Sequence, residues 1–557
     1  MKKHLAIFLL FLTNISYGQN TILNNRYSFG YDYCIFGSII STDSCYYIKS
    51  LISNQGLATD LKDGFIKINQ DGTLNLIKEY AEDTIGLSSW ESNNLINTLD
   101  NNFAQLITTF TPSNNDFFIF IKQSLNGDTL KTTFLDTINT LEQSTGGIRA
   151  LWSGKMLQLE DSSYLCTANV QNLNWQNTYI KTVPMLIKLD KYGNYLWHKI
   201  YWSFISPYYN TSRCFSFLQF NDSTFVLCNS YGHDDTYSYI NDNGYSKFLF
   251  IDSTGNEKKT IFLNDSFNQM SVAYNFLKVN NDFIYSGIKR KFVSNSEVWF
   301  YPIIAKIDTN FNQYWNIKLD TTIGFGVSKL NEIKQVTNTE FIAVGQGWIV
   351  SSDTNTCGML VKFNVNGDLL WQRKYVKVPN PKFYTQQGLV YYNPPSHELS
   401  DVDITPDSGF VMVGQAVNNN QNISEPYGQM GWLVKTDKHG CLVPGCEIYD
   451  NVIPIDTTIF VIDTNNTDTT QTTTPPNMLY PNPATTELYY YHQGSSASPF
   501  NVFIYDLQGQ VVQQFTVSGN NITYIIDISQ LASAIYIFKV ISDSGEVIMS
   551  EKFVKVE

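Results

Sequence analysis

Seven copies of one hairpin pattern constrain this chain more than any other feature. They read FIKINQDGTLNLIKEY from Phe65, FIKQSLNGDTLKTTF from Phe120, LIKLDKYGNYLWHKIY from Leu186, FLFIDSTGNEKKTIF from Phe248, IAKIDTNFNQYWNIKL from Ile304, LVKFNVNGDLLWQRKY from Leu360 and LVKTDKHGCLVPGCE from Leu433. The shared turn position is Gly72, Gly127, Gly193, Gly255, Phe311, Gly367 and Gly440, so successive copies stand 55, 66, 62, 56, 56 and 73 residues apart. Three residues earlier come Asn69, Ser124, Asp190, Asp252, Asp308, Asn364 and Asp437, whose side chains accept hydrogen bonds from backbone groups two residues on. Glycine tolerates the positive φ that closes such a turn, and alternating apolar residues run into and out of it. Each copy is expected to be a β-hairpin. Phe311 is the departure, and the preceding Asn310 is expected to take the left-handed conformation there.

A second hairpin alternates with the first. It reads LQLEDSSYLCTA around Asp161, LQFNDSTFVLCNS around Asp222, LKVNNDFIYSGI around Asn281 and ITPDSGFVMVGQA around Asp407, with weaker versions centred on Asp43, Asp100 and Asn338. Two hairpins per repeat make four strands in roughly 60 residues, too little core to be stable alone. Four-stranded sheets repeated about an axis bury both faces and leave no long edge. The expected fold is therefore all-β: a seven-bladed β-propeller over residues 24–448. An open solenoid or a pair of smaller sandwiches is the alternative. Hydrophobic residues at 43% and aromatics at 15% supply core for either and exclude global disorder.

Lys2 and Lys3 precede the apolar run Leu5–Leu12, and Ser16-Tyr17-Gly18 offers small residues where a signal peptidase reads, so residues 1–18 are expected to be removed before Gln19. The run is too short to span a bilayer, and no later stretch reaches the roughly 20 apolar residues required, so no transmembrane segment is expected. A net charge of -13 repels phosphate backbones and argues against nucleic acid. Eight cysteines in 557 residues are too sparse for a disulfide scaffold, though an exported chain tolerates bridges. Cys214 and Cys228 lie symmetrically about Asn221, and Cys441 and Cys446 flank a short turn; each pair is a candidate bridge, and burial as free thiols is the alternative.

Residues 449–477, including TNNTDTTQTTTPP, lack side chains able to form a core and read as a linker. After them, strands are expected near Glu487–Tyr491, Val502–Asp506, Val511–Val517, Thr523–Ile528, Ile535–Ile541 and Val547–Val554, making a small Ig-like β-sandwich over 478–557. LYPNPATTELYY, VFIYDLQGQVVQQF, IDISQLASAIYIFKV and EKFVKV closely resemble the C-terminal sorting domain (type A) of type IX secretion, on Pro481, Asn482, Pro483, Asp506, Gly509, Leu531, Tyr536 and Lys555. Ala534 stands where that family usually has Gly. The resemblance implies recognition by the type IX machinery after periplasmic transit and a secreted or outer-surface destination. The repeats also resemble propeller repeats, LIKxDxxGxxxW, of Bacteroidota secreted proteins, which carry no single activity.

Candidate chemistry is sparse. Lys67, Lys122, Lys188, Lys306, Lys362 and Lys435 recur at one strand position, either as an axial anion-binding ring or, as expected, in pairing between blades or snorkelling to solvent at blade edges. Trp197, Trp315 and Trp371 recur four residues after the turn position, either to stack on sugars or, as expected, to pack between blades. His233-Asp234-Asp235 and His397-Glu398 read as solvated turns rather than cation or acid–base sites, and no metal-ligand spacing, cofactor fingerprint or nucleophile elbow occurs. The expected function is a non-enzymatic glycan- or protein-binding module. The alternative is a polysaccharide hydrolase or lyase with its site in the central pocket. Converging carboxylates in that pocket favour the enzyme, and a featureless channel favours binding.

Overall fold

The computed structural model describes residues 21–442 and 478–556 apart from 55–60, 81–85, 89–93, 111–115, 139–147, 173–181, 203–210, 233–244, 264–268, 295–296, 320–327, 349–355, 379–384, 387–388, 391–395, 419–427, 481–483, 493–499, 507–509, 518–521 and 543–546. The chain divides into an N-terminal body, Met1–Pro454, and a C-terminal body, Ile455–Glu557. The expected leader and linker lie outside the described residues.

Four antiparallel strands in succession form the basic unit of the N-terminal body, as the hairpin repeats require. The first unit pairs Tyr33–Ser41, Cys45–Ser53, Lys62–Asn69 and Leu74–Tyr80. In the second, the short strands Gly86–Ser88 and Ile96–Asn97 both pair with Phe103–Phe110, followed by Phe118–Gln123 and Thr129–Phe134. Complete units follow over 148–200, 211–262, 269–318 and 329–375. The last unit has three consecutive strands, Ser396–Ile404, Phe410–Asn418 and Gly428–Thr436. Its fourth place is taken by the N-terminal strand Leu23–Tyr27, antiparallel to Gly428–Thr436.

That long-range strand went unread in the sequence. Pro444, which has no N–H for a ladder, follows the last turn and discourages a local fourth strand. Cys441 is disulfide-bonded there, and Cys446 lies outside the described residues. A signal was nonetheless present: LNNRY ends like LIKEY and WQRKY, the fourth strands of other copies. Tyr27 OH donates to Gly72 O at 2.9 Å, just as Tyr80 OH reaches Gly127 O at 3.2 Å, Tyr201 OH reaches Gly255 O at 3.1 Å and Tyr375 OH reaches Gly440 O at 2.7 Å. Each bond ties a fourth strand to the turn of the following unit.

Turn chemistry is as the residues require. Asp190 Oδ1 accepts from Tyr192 N and Asn194 N, both at 2.8 Å, and Gly193 has φ 80°. A Cβ on Gly193 would stand 2.4 Å from Phe120 of the preceding unit, so space as well as φ selects glycine. Contrary to expectation, Phe311 itself is left-handed at φ 67°, not Asn310. Its ring packs 4.5 Å from that of Phe248, and this aromatic contact offsets the backbone cost.

Both faces of a unit are buried. Tyr164, Cys166, Ala168 and Val170 pack with Leu106 and Phe120 of the second unit, while Leu165 packs with Phe217 and Leu227 of the fourth. First strands carry a recurrent bulge, with register shifts at Phe36/Ser38, Cys214/Ser216, Ala273/Asn275, Leu330/Glu332 and Leu399/Asp401. Opposite the bulge of the sixth unit lies Gly345, where a Cβ would stand 2.0 Å from Lys329 O. Gly345→Ala is expected to lower stability by about 3 kcal/mol, read as a shift in the urea midpoint.

In the C-terminal body, Met478–Tyr480, Glu487–His492 and Ile522–Asp527 form one sheet, and Val511–Val517, Phe500–Tyr505, Ala534–Ser542 and Val547–Lys555 form another. They share a core of Leu488, Tyr490, Val502, Ile504, Phe538 and Phe553. Tyr536 OH donates to Ala532 O at 2.9 Å, and Asp506 Oδ1 accepts Gln510 N at 2.8 Å, so both sorting-motif residues fix turns. Leu531 packs on the core, and Lys555 bridges Ala484. Pro481, Asn482, Pro483 and Gly509 lie outside the described residues.

Candidate axial site

Six residues before Asp100, Asp161, Asp222, Asn281, Asn338 and Asp407, the turn residues of the second hairpin pattern, stand Asn94, Lys155, Ser216, Asn275, Glu332 and Asp401. Ser38 takes the equivalent place in the first unit, immediately after its bulge. All but Lys155 are buried. A bulge re-aims the residue that follows it, and it sets Ser38, Ser216, Asn275, Glu332 and Asp401 at equivalent places in five units. Sequence reading missed this set. The available signal was a polar residue recurring at a fixed offset from the turn.

These side chains meet one another. Lys155 Nζ lies 2.7 Å from Glu332 Oε2, although 177 residues separate them and they belong to the third and sixth units. Asn275 Nδ2 also donates to Glu332 Oε1, and Ser216 Oγ lies 2.7 Å from Asn275 Oδ1. Lys49 Nζ donates to Asn94 Oδ1 at 2.5 Å, and Asn94 Nδ2 to Ser153 Oγ at 3.1 Å. Asn169 binds the Cys214 backbone through N at 2.8 Å and O at 3.3 Å. Asp401 Oδ2 accepts from Ile39 N at 2.8 Å and Ser38 Oγ at 3.3 Å, while its Oδ1 accepts Val402 N at 2.7 Å. Lys334 lies 3.7 Å from Asp401 and 3.3 Å from Asp403, which accepts Ser41 N at 2.7 Å. Every pair of successive units, including the last with the first, is thus bridged by polar contacts.

Toward the end where the first strands begin, Glu398 forms a second focus. It lies 2.7 Å from Lys329, accepts Asn331 Nδ2 at 2.9 Å and Gln415 Nε2 at 3.3 Å. Lys329 Nζ sits 5.8 Å from the Tyr274 ring centroid, and Tyr274 stands edge-on to Phe215 at 4.9 Å. Phe215, Tyr274 and Asn331 are themselves the bulged residues, and all are half-buried.

Electrostatics follow from burial and pairing. Burial pushes the Asp401 carboxyl up to about 6 despite Lys334, with Glu332 adding to the rise. Burial also opposes the charge on Lys334, but Asp401, Asp403 and Glu332 outweigh it and hold the ammonium above its ordinary range. For Glu398, burial is outweighed by Lys329 and by hydrogen bonds from Lys329, Asn331 and Gln415, which hold its pKa low. His397 is pushed down to about 3, chiefly by burial.

Several sequence-based expectations can now be placed. Lys122 pairs with Asp100 at 2.7 Å, Lys306 with Asp282 at 3.1 Å, Lys362 with Glu340 at 2.9 Å and Lys435 with Asp407 at 2.8 Å, while Lys67 sits 5.3 Å from the Tyr47 ring. Contrary to the expected pairing between blades, these partners belong to the same unit, because the carboxylate at the turn end of one hairpin stands beside the lysine strand of the next, so the lysines knit the two hairpins of a unit together. Trp197, Trp315 and Trp371 pack against Gly255, Gly367 and Gly440, the turn glycines of the following units. Cys214 and Cys228 are free and buried in different clusters, because the bulge sets Cys214 opposite Asn229 and Cys228 opposite Ser216; no bridge joins them. His397 is no solvated turn: it lies buried in a strand, its Nε2 accepting Val378 N at 2.9 Å and its Nδ1 facing Thr356 O at 3.0 Å. His233, Asp234 and Asp235 fall outside the described residues. Among the described residues no group of His, Cys, Asp or Glu is arranged to hold a metal ion, and no helix is long and apolar enough to cross a membrane.

No curated protein matches the chain. Solved structures similar to it include the polysaccharide lyase Uly1, at 9% identity and a TM-score of 0.41, covering 77% of this chain and 94% of the lyase. An alpha-L-arabinanase from Penicillium chrysogenum, complexed with arabinobiose, is 10% identical with a TM-score of 0.37, covering 62% of this chain and 92% of its own. The alpha-L-arabinofuranosidase Arb93A from Fusarium graminearum is 11% identical with a TM-score of 0.35, over 64% and 94%. Residues 478–556 match the family described as Secretion system C-terminal sorting domain. The chain therefore carries a type IX sorting domain, and its destination is outside the cell or on the outer cell surface.

Proposed function

We propose that the N-terminal body is a seven-bladed β-propeller acting as a non-enzymatic module that binds a glycan or protein, with an Ig-like C-terminal sandwich handling export. Support for the closed ring comes from the polar bridges between all successive units and from the Lys155–Glu332 pair, which spans units far apart in order. The observation that carries the binding reading is saturation of the axial carboxylates. Glu332 is held by Lys155 and Asn275, Asp401 by Ile39 N, Val402 N and Ser38, and Asp403 by Ser41 N and Lys334. A hydrolase needs one carboxyl free to give a proton and another free to act as base or nucleophile.

Convergence of Glu332, Asp401, Asp403 and Glu398 is the feature that favours a polysaccharide hydrolase or lyase. A glycan array combined with polysaccharide-turnover assays separates the two: binding without product supports the module, and sustained product release supports the enzyme. For the tail, deletion of residues 478–557 is expected to leave the protein in the periplasm with its N-terminal body folded, read by fractionation and protease resistance. Normal surface delivery of that truncation would refute the export role.

A further inference from the structure

We propose that Phe215, Tyr274, Lys329, Asn331 and Glu398 form a ligand platform on the propeller axis, and that its ligand is an uncharged saccharide. The proposal rests on the binding reading above and specifies its place and chemistry. Innermost strands from four successive units contribute these residues, and direct contacts link them in order: Phe215 to Tyr274 at 4.9 Å, Tyr274 to Lys329 at 5.8 Å, Lys329 to Glu398 at 2.7 Å and Glu398 to Asn331 at 2.9 Å. Gln415 extends the polar side by donating to Glu398 and accepting from Gln429.

Two features separate this cluster from the rest of the axis. Glu332 and Asp401 one step further along are buried, whereas Phe215, Tyr274, Lys329, Asn331 and Glu398 are half-buried, so a ligand reaching the axis from that side meets them first. The Lys155–Glu332 pair with Asn275 and Ser216 lies directly behind, since Ser216, Asn275 and Glu332 each follow a platform residue in sequence, and forms a polar floor. Aromatic rings offer an apolar surface to the C–H face of a sugar ring, while amides and an ion pair offer both donors and acceptors to its hydroxyls. Lys329 and Glu398 cancel in charge. A sulfated or uronate chain would bring negative charge against Glu398, whose cation Lys329 is already engaged by it, so charge complementarity selects a neutral ligand.

The test uses the full chain and isothermal titration with xylohexaose, mannohexaose, cellohexaose and the charged hexagalacturonate. Saturable binding of at least one neutral hexasaccharide, weakened about tenfold or more by Phe215→Ala or Tyr274→Ala with an unchanged unfolding midpoint, is the expected result. Asn331→Ala is expected to weaken it as well, and Trp197→Phe, at a distant sheet interface, to leave it unchanged. Neutral binding unaffected by the platform substitutions overturns the site but not the binding module. Preference for hexagalacturonate, or no binding of any neutral probe, overturns the ligand class. Cleavage of a probe overturns the binding module itself.

Discussion

Deleting Leu23–Tyr27 is expected to lower the stability of the N-terminal body by at least about 5 kcal/mol and to broaden or split its urea transition. The strand contributes a five-residue ladder to Gly428–Thr436, and its side chains reach three other places. Asn24 accepts the Trp432 indole N–H at 2.7 Å and donates to Val376 O at 3.1 Å; Arg26 donates to Gly428 O at 2.9 Å and Ala416 O at 3.2 Å; Tyr27 binds Gly72 O. Without it, Gly428–Thr436 becomes an open edge, and the last unit loses the Tyr27–Gly72 bond to the first, keeping its contacts through Asp401 and Asp403 and the Tyr33–Gln429 pairing. Tyr27→Phe removes only one hydroxyl and is expected to cost about 1 kcal/mol. An unchanged midpoint and slope in the deletion would show that the ring does not depend on this clasp.

The axial network should give the second large effect. Glu332→Ala is expected to destabilise by about 3–5 kcal/mol, because it leaves the Lys155 ammonium and the buried Asn275 amide without their acceptor. Replacing both partners, Lys155→Met with Glu332→Leu, should recover most of that loss, since an apolar pair removes the half-buried ammonium and the buried carboxylate together. Asp401→Asn adds a pH signature. The folded carboxyl sits at about 6 against a reference of 3.8, so its contribution is fully present below the lower value and is lost as pH rises between them. Urea midpoints measured across that range should flatten in the variant, at a lower overall level, because an amide cannot accept from Ile39 N and Val402 N with both its atoms. Equal slopes in both proteins would show that Asp401 does not titrate there.

Local structure was legible from the residues. Turns closed by Gly72 or Gly193, with a hydrogen-bond acceptor three residues before, form where read, because a hairpin needs only turn chemistry and alternation within about 16 residues. The tail strands agree with expectation to within two residues at every boundary, apart from the added Met478–Tyr480. Phe311 shows the limit: sequence preference favoured Asn310 in the left-handed position, and the aromatic cluster around Phe248 decided for Phe311. Cys214 and Cys228 show it again, since symmetry about a turn assumes an unbroken register and the bulge at Cys214/Ser216 breaks it.

What the sequence determined by itself was the hairpin, its repetition and the separate sorting tail, all specified by residues close together in the chain. Tertiary structure alone decided that Asn24 meets Trp432 across 408 residues, that Lys155 meets Glu332 across 177, and that Phe215, Tyr274 and Glu398 share one surface. The physical reason is range: a turn preference is set by the backbone torsions of a few residues, whereas a partner for a buried charge or an open strand edge is chosen only when distant segments pack and water is excluded between them.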